Sequence, residues 1–174
     1  MTRVRDRRPI VAAFALGVAL VAAGCGYSVR GHLPADVRTI AIPVLANKTT
    51  KPAVETEMTR ALSDAFATDG RLQVVSRDRA DSVLEGEVTG YELISIAFDP
   101  RANVRLYRLV VTMNVRLRDV RRNTLLFEQH GFSEKADFRV LGAVSETIAR
   151  EEIALRAAAV DIARAVVALA IERF

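Results

Sequence analysis

Val104–Val120 alternates apolar and polar residues over its whole length, and a period of two sustained that far reads as a half-buried β-strand. Tyr107, Leu109, Val111, Met113, Val115 and Leu117 fall on one side; Arg108, Thr112, Asn114, Arg116 and Arg118 fall on the other. The preceding stretch Val83–Phe98 is β-like too, with Leu84, Val88, Ile94, Ile96 and Phe98 at even positions. Gly86 and Gly90 interrupt it, which predicts a bulge or a close backbone approach. Asp99–Asn103, with Pro100, is a turn; Arg121–Thr124 is another, followed by a strand over Leu125–Ser133. Long strands joined by short turns predict an antiparallel sheet with one face on a core and one in water.

The flanking segments supply the cover. Thr39–Val44 predicts a strand with Ile40, Ile42 and Val44 on one face, ended or placed at an edge by Pro43, and Ala46–Lys51 is turn-like. A helix begins near Pro52, with Glu55 and Glu57 at its positive end. Val54, Met58, Ala61, Leu62, Ala65 and Phe66 form its apolar stripe, and Asp69-Gly70 ends it in a left-handed cap. Leu72–Val75 is a short strand. Ser145–Arg173 is a long alanine-rich helix with Ile148, Leu155, Ala159, Ile162, Val166 and Leu169 inward and Glu152–Arg156 as an i,i+4 pair. The expected fold is α+β: a two-layer sandwich with two amphipathic helices on one face of a single mixed, mostly antiparallel sheet of four or five strands. Apolar residues make up 51% of the chain but aromatics only 6%, so alanine and valine must build a lean core.

The N-terminus has a different character. Met1–Arg8 is basic, Ile10–Ala23 is an uncharged run of 14 residues, and the small residues Ala22, Ala23 and Gly24 precede Cys25, the only cysteine. The run is of signal-peptide length and short for a membrane span. Val21-Ala22-Ala23-Gly24-Cys25 resembles a lipobox, which implies cleavage between Gly24 and Cys25 and covalent S-diacylglycerol and N-acyl groups on Cys25. Two or three acyl chains anchor firmly where one holds only marginally. The competing readings are an ordinary secreted protein or an uncleaved anchor. Residues 1–24 are then a signal peptide, 25–34 a lipidated tether and 35–174 a single periplasmic domain. Gly26 stands where enterobacterial lipoproteins kept in the inner membrane carry Asp, which points to the outer membrane.

Charge and motif inventory exclude several functions. Losing the leader drops the net charge from +4 to +1, which leaves no global attraction for a nucleic-acid backbone. The two histidines, His32 and His130, have no partner at metal-ligand spacing, so no metal is expected. Gly26-Tyr27-Ser28-Val29-Arg30 lacks the last glycine of a nucleophile elbow. Glu85 and Glu87 share the polar side of a strand, where solvated carboxylates are the default. No catalytic residue and no dissociable cofactor is expected. Arg108, Arg116 and Arg118 form either a solvated face or a site for an anionic ligand, since guanidinium groups pair bidentately with phosphate. Beneath an outer membrane that ligand would be lipopolysaccharide.

Cys25-Gly26-Tyr27-Ser28-Val29-Arg30-Gly31 resembles the mature start of the lipopolysaccharide-assembly lipoprotein family LptE. Ile40-Ala41-Ile42-Pro43-Val44-Leu45-Ala46-Asn47-Lys48-Thr49 resembles that family's first strand and Asn-x-Thr turn. Pro52-Ala53-Val54-Glu55 with Leu62 and Phe66 is similar to its first helix, and Ala80-Asp81-Ser82-Val83-Leu84-Glu85-Gly86 to the entry of its long hairpin. The resemblance implies a protein that plugs the outer-membrane β-barrel LptD, helps it assemble, and aids insertion of lipopolysaccharide in the outer leaflet. The Ile-Pro-Val…Asn-x-Thr strand is also similar to outer-membrane lipoproteins that activate a peptidoglycan synthase or build a secretion pore, which stays open as the alternative.

Overall fold

The computed structural model describes residues 33–101, 103–140 and 144–172. The expected leader, Gly24, Cys25 and His32 lie outside the described residues. The elements in chain order are β1 (Thr39–Ala41), β2 (Ala46–Asn47), α1 (Val54–Asp69), β3 (Gln73–Val74), β4 (Ser82–Phe98), β5 (Val104–Asp119), β6 (Thr124–Arg139) and α2 (Val144–Glu172). They build a six-stranded sheet in the order β3-β1-β4-β5-β6, with β2 also paired to β4. β4, β5 and β6 are antiparallel; β1, β2 and β3 join in parallel. Both helices pack on one sheet face and on each other. The expected two-layer arrangement is present, with six strands rather than four or five.

β5 carries the core as its alternation requires: Leu109, Val111, Met113, Val115 and Leu117 are buried beneath the helices. From α1, Val54, Met58, Leu62 and Phe66 meet them at helical spacing, while Ala61 and Ala65 are half-buried. From α2 come Leu155, Ala159, Ile162 and Val166. Ile148, placed in that stripe by spacing, is exposed instead. α1 ends as expected: Gly70 sits at φ 74° and its N–H donates to the Phe66 carbonyl.

The period along β4 changes hand. Leu84, Gly86 and Val88 lie opposite Leu117, Val115 and Met113, but beyond them Tyr91 and Leu93 lie opposite Val111 and Leu109. Directly opposed residues share a face, so the inward positions are even up to Val88 and odd from Tyr91 to Ser95, where the register shifts again. The cause is one extra residue, Thr89, in a bulge between Val88 and Gly90. Ile94, expected on the core side, is therefore opposite Arg108 on the open face.

Gly86 serves close approach rather than a bulge. A Cβ there would lie 2.7 Å from the Asn114 carbonyl oxygen and 3.2 Å from Leu45 Cδ2. Leu45 is buried, whereas Val44 is 71% exposed. Pro43 has no N–H to continue the pairing, so the chain steps out between β1 and β2 and returns one position later. Ile40 and Ile42 thus both pack on the core as their alternation requires, while Val44 leaves that face. Asn47 closes the loop that follows. Its Nδ2 donates to the Lys51 carbonyl and to Glu55, and its Oδ1 accepts from the N–H and hydroxyl of Thr49.

β6 extends to Arg139, beyond the expected end at Ser133. Glu134, Lys135 and Asp137 have poor strand propensity, but Ala136 and Phe138 pair with Leu109 and Tyr107, and that pairing decides. The Phe138 ring stacks on Tyr107 with centroids 5.7 Å apart.

Candidate interaction surface

The sheet face away from the helices is a ladder of charge. The structure puts Arg108, Arg116 and Arg118 on it together, as their even spacing requires. Arg108 makes a bidentate pair with Asp137, its cross-strand neighbour on β6, at 2.7 and 2.8 Å. Arg116 donates to Glu85 on β4 at 3.0 Å and lies opposite Glu128 on β6. Arg118 donates to the Asn123 side chain at 3.3 Å. Arg116 and Arg118 are near neighbours, but eight residues of strand, about 27 Å, separate Arg116 from Arg108. One phosphate can meet the first two and not the third.

Glu85, Glu87 and His130 meet around a shallow dish of about 260 Å³ on this face, with Asn114, Arg116 and Glu128. Asn114 ties the dish together: its Nδ2 donates to Glu87 and its Oδ1 accepts the N–H of Gly131, at φ 61°. His130 lies 3.2 Å from Glu128. Among the described residues no three His, Cys, Asp or Glu side chains are placed to hold a metal ion. No described helix is long and apolar enough to cross a membrane.

Two polar clusters are not marked by residue spacing, because most of their contacts join segments remote along the chain. In the first, Lys51, Tyr91 and Glu151 join the β2–α1 loop, β4 and α2. Glu151 accepts from Lys51 at 2.7 Å and from the Tyr91 hydroxyl at 2.6 Å, and the Lys51 ammonium stands 5.4 Å from the Tyr91 ring centre. Burial and the bond to Glu151 push the Tyr91 hydroxyl well above its ordinary range. Burial pushes Glu151 up, but the bonds from Lys51 and Tyr91 outweigh it and leave the carboxyl below its usual value.

The second cluster binds the β5–β6 turn to the segment where the chain enters the sheet. Asp81 Oδ2 accepts from the backbone N–H groups of Arg38 and Thr39 and from the Thr39 hydroxyl, and its Oδ1 accepts from Arg121 at 2.6 Å. Asp119, 1% exposed, accepts from the Arg122 backbone and guanidinium, and Arg122 also reaches Asp36 at 2.7 Å. The Thr39 hydroxyl and Arg38 N–H bonds hold the Asp81 carboxyl below the usual range. The Arg122 N–H does the same for Asp119, and the Arg122 side chain for Asp36.

This sandwich is a fold found in solved bacterial proteins. A Xanthomonas campestris protein of the DUF330 family superposes with a TM-score of 0.55 at 12% identity, covering 84% of this chain and 93% of that one. A putative lipoprotein from Caulobacter crescentus gives 0.52 at 14% identity over 75% and 90% of the two chains. The PelC dodecamer from Paraburkholderia phytofirmans gives 0.51 at 15% identity over 79% and 90%. Identities this low speak for the fold alone. A search of curated proteins finds no match. The lipopolysaccharide-assembly family LptE does match, over residues 37–169, from the approach to β1 to the last turn of α2. The chain belongs to that family, and with it to the outer-membrane lipoproteins of lipopolysaccharide assembly.

Proposed function

We propose that this protein is the lipoprotein partner of the LptD barrel: it occupies the lumen, assists barrel assembly and aids insertion of lipopolysaccharide in the outer leaflet. Its role is structural rather than catalytic, and it stands on the periplasmic face, anchored through lipid on Cys25. The family match over the whole sandwich carries this reading. The proportions agree with it. The 17 residues of β4 span about 56 Å and the 29 of α2 about 43 Å, against about 25 Å for the apolar band of an outer-membrane barrel. A domain inserted along its strands would run the full height of the wall.

Affinity purification of the full chain from its native envelope in mild detergent tests this. A large β-barrel should co-purify, and none doing so refutes the proposal. The anchor has its own test. Cys25→Ser should abolish labelling by radioactive palmitate, and labelling that persists would rule out Cys25 as the lipid-bearing residue.

A further inference from the structure

We infer that the β5–β6 turn, residues 120–123, together with Leu125 at the start of β6, is a lipid-contacting tip that touches the anionic headgroup layer of the membrane holding the anchor. The inference rests on the reading that Cys25 carries that anchor. Val120 and Leu125 flank the turn and are 47% and 46% exposed. Between them stand Arg121 and Arg122, whose side chains are 66% and 50% exposed even while paired with Asp81, Asp36 and Asp119. Apolar residues beside arginines suit a headgroup layer, where the alkyl parts sink in and the guanidinium groups stay among phosphates. Arg38 and Arg79, both exposed, lie next to this end and have no ion pair among the described residues.

The connectivity places this tip where the chain leaves for its anchor. Arg122 holds Asp36, and Asp81 holds Arg38, Thr39 and Arg121, so the turn is tied to the first residues of the sandwich. Eight peptide steps separate Cys25 from Leu33, a reach of at most about 28 Å. The opposite turn, Asp99–Asn103, lies a full strand length away at the far end of β4 and β5.

The chain contains no tryptophan, so a single introduced one reports alone. The full lipidated chain carrying Val120→Trp, and separately Leu125→Trp in case the first fails to fold, is reconstituted into vesicles. These contain phosphatidylethanolamine and phosphatidylglycerol with a fraction of brominated lipid. The expected result is a blue-shifted emission that bromine quenches in either variant, weakened by high salt or by uncharged phosphatidylcholine. Phe98→Trp at the far end should stay unquenched. If the chain floats with the vesicles and neither the Val120→Trp nor the Leu125→Trp variant is quenched, the tip does not touch lipid and the inference is overturned while the anchor reading stands. A blue shift without quenching would put a protein surface at the tip and overturn it equally. If the chain does not float with the vesicles, the anchor reading falls and the inference with it.

Discussion

Asp81→Ala tests whether the tether end of the sandwich is held by one carboxylate. The side chain has three donors on Oδ2, the N–H groups of Arg38 and Thr39 at 3.1 Å and the Thr39 hydroxyl at 2.8 Å, and Arg121 on Oδ1. Each hydrogen bond to a charged acceptor contributes about 1.5–3 kcal/mol when buried, and about 1 kcal/mol where water replaces a lost partner. Three bonds at a half-buried site therefore sum to about 2–4 kcal/mol. The Arg121 pair is a surface ion pair, with the arginine 66% exposed, and contributes about 0–1 kcal/mol. Equilibrium urea unfolding should thus show a loss of about 2–4 kcal/mol for Asp81→Ala and at most about 1 kcal/mol for Arg121→Ala. The Arg38 and Thr39 amides should exchange with solvent sooner than the rest of the sheet in the first variant only. A loss below about 1 kcal/mol for Asp81→Ala, or an equal loss for Arg121→Ala, refutes the assignment of stability to the backbone-capping oxygen.

Gly86→Ala should cost about 1–3 kcal/mol in thermal or urea unfolding, because its Cβ would stand 2.7 Å from the Asn114 carbonyl and displace Leu45; an unchanged midpoint would mean the strands part freely there. Asp36, Asp81 and Asp119 titrate below their ordinary values in the folded protein. Their stabilisation is complete above the unfolded carboxylate pKa of about 3.9 and is lost as pH falls through the depressed folded values. Asp99 joins them, held at about 2 by the Asn103 side chain and by backbone N–H groups. Urea midpoints should be flat from about pH 5 to 7 and fall steeply below about pH 4; a midpoint at about pH 3 equal to that at about pH 6 contradicts this. Reversing Arg108, Arg116 and Arg118 to Glu should weaken lipopolysaccharide binding in a salt-dependent way, with most of the loss from the Arg116–Arg118 pair. Binding unchanged at low salt would make the open face merely solvated.

Elements whose periodicity is local are legible from the chain alone. β5 reads correctly from Tyr107 to Leu117, and α1 from Val54 to its Gly70 cap, because each residue's side follows from backbone geometry. The ordered motifs along residues 40–86 also located the family. Three features arise only when distant segments meet. The parity of β4 beyond Val88 depends on a single unpaired residue in the ladder, and hydropathy does not mark which residue that is. The strand character of Glu134–Arg139 comes from pairing with β5 against its own propensity. The arginines of the open face met carboxylates from neighbouring strands, Arg108 with Asp137 and Arg116 with Glu85, at separations of 29 and 31 residues. Such pairs are a property of strand register, which a sheet fixes only once it has folded.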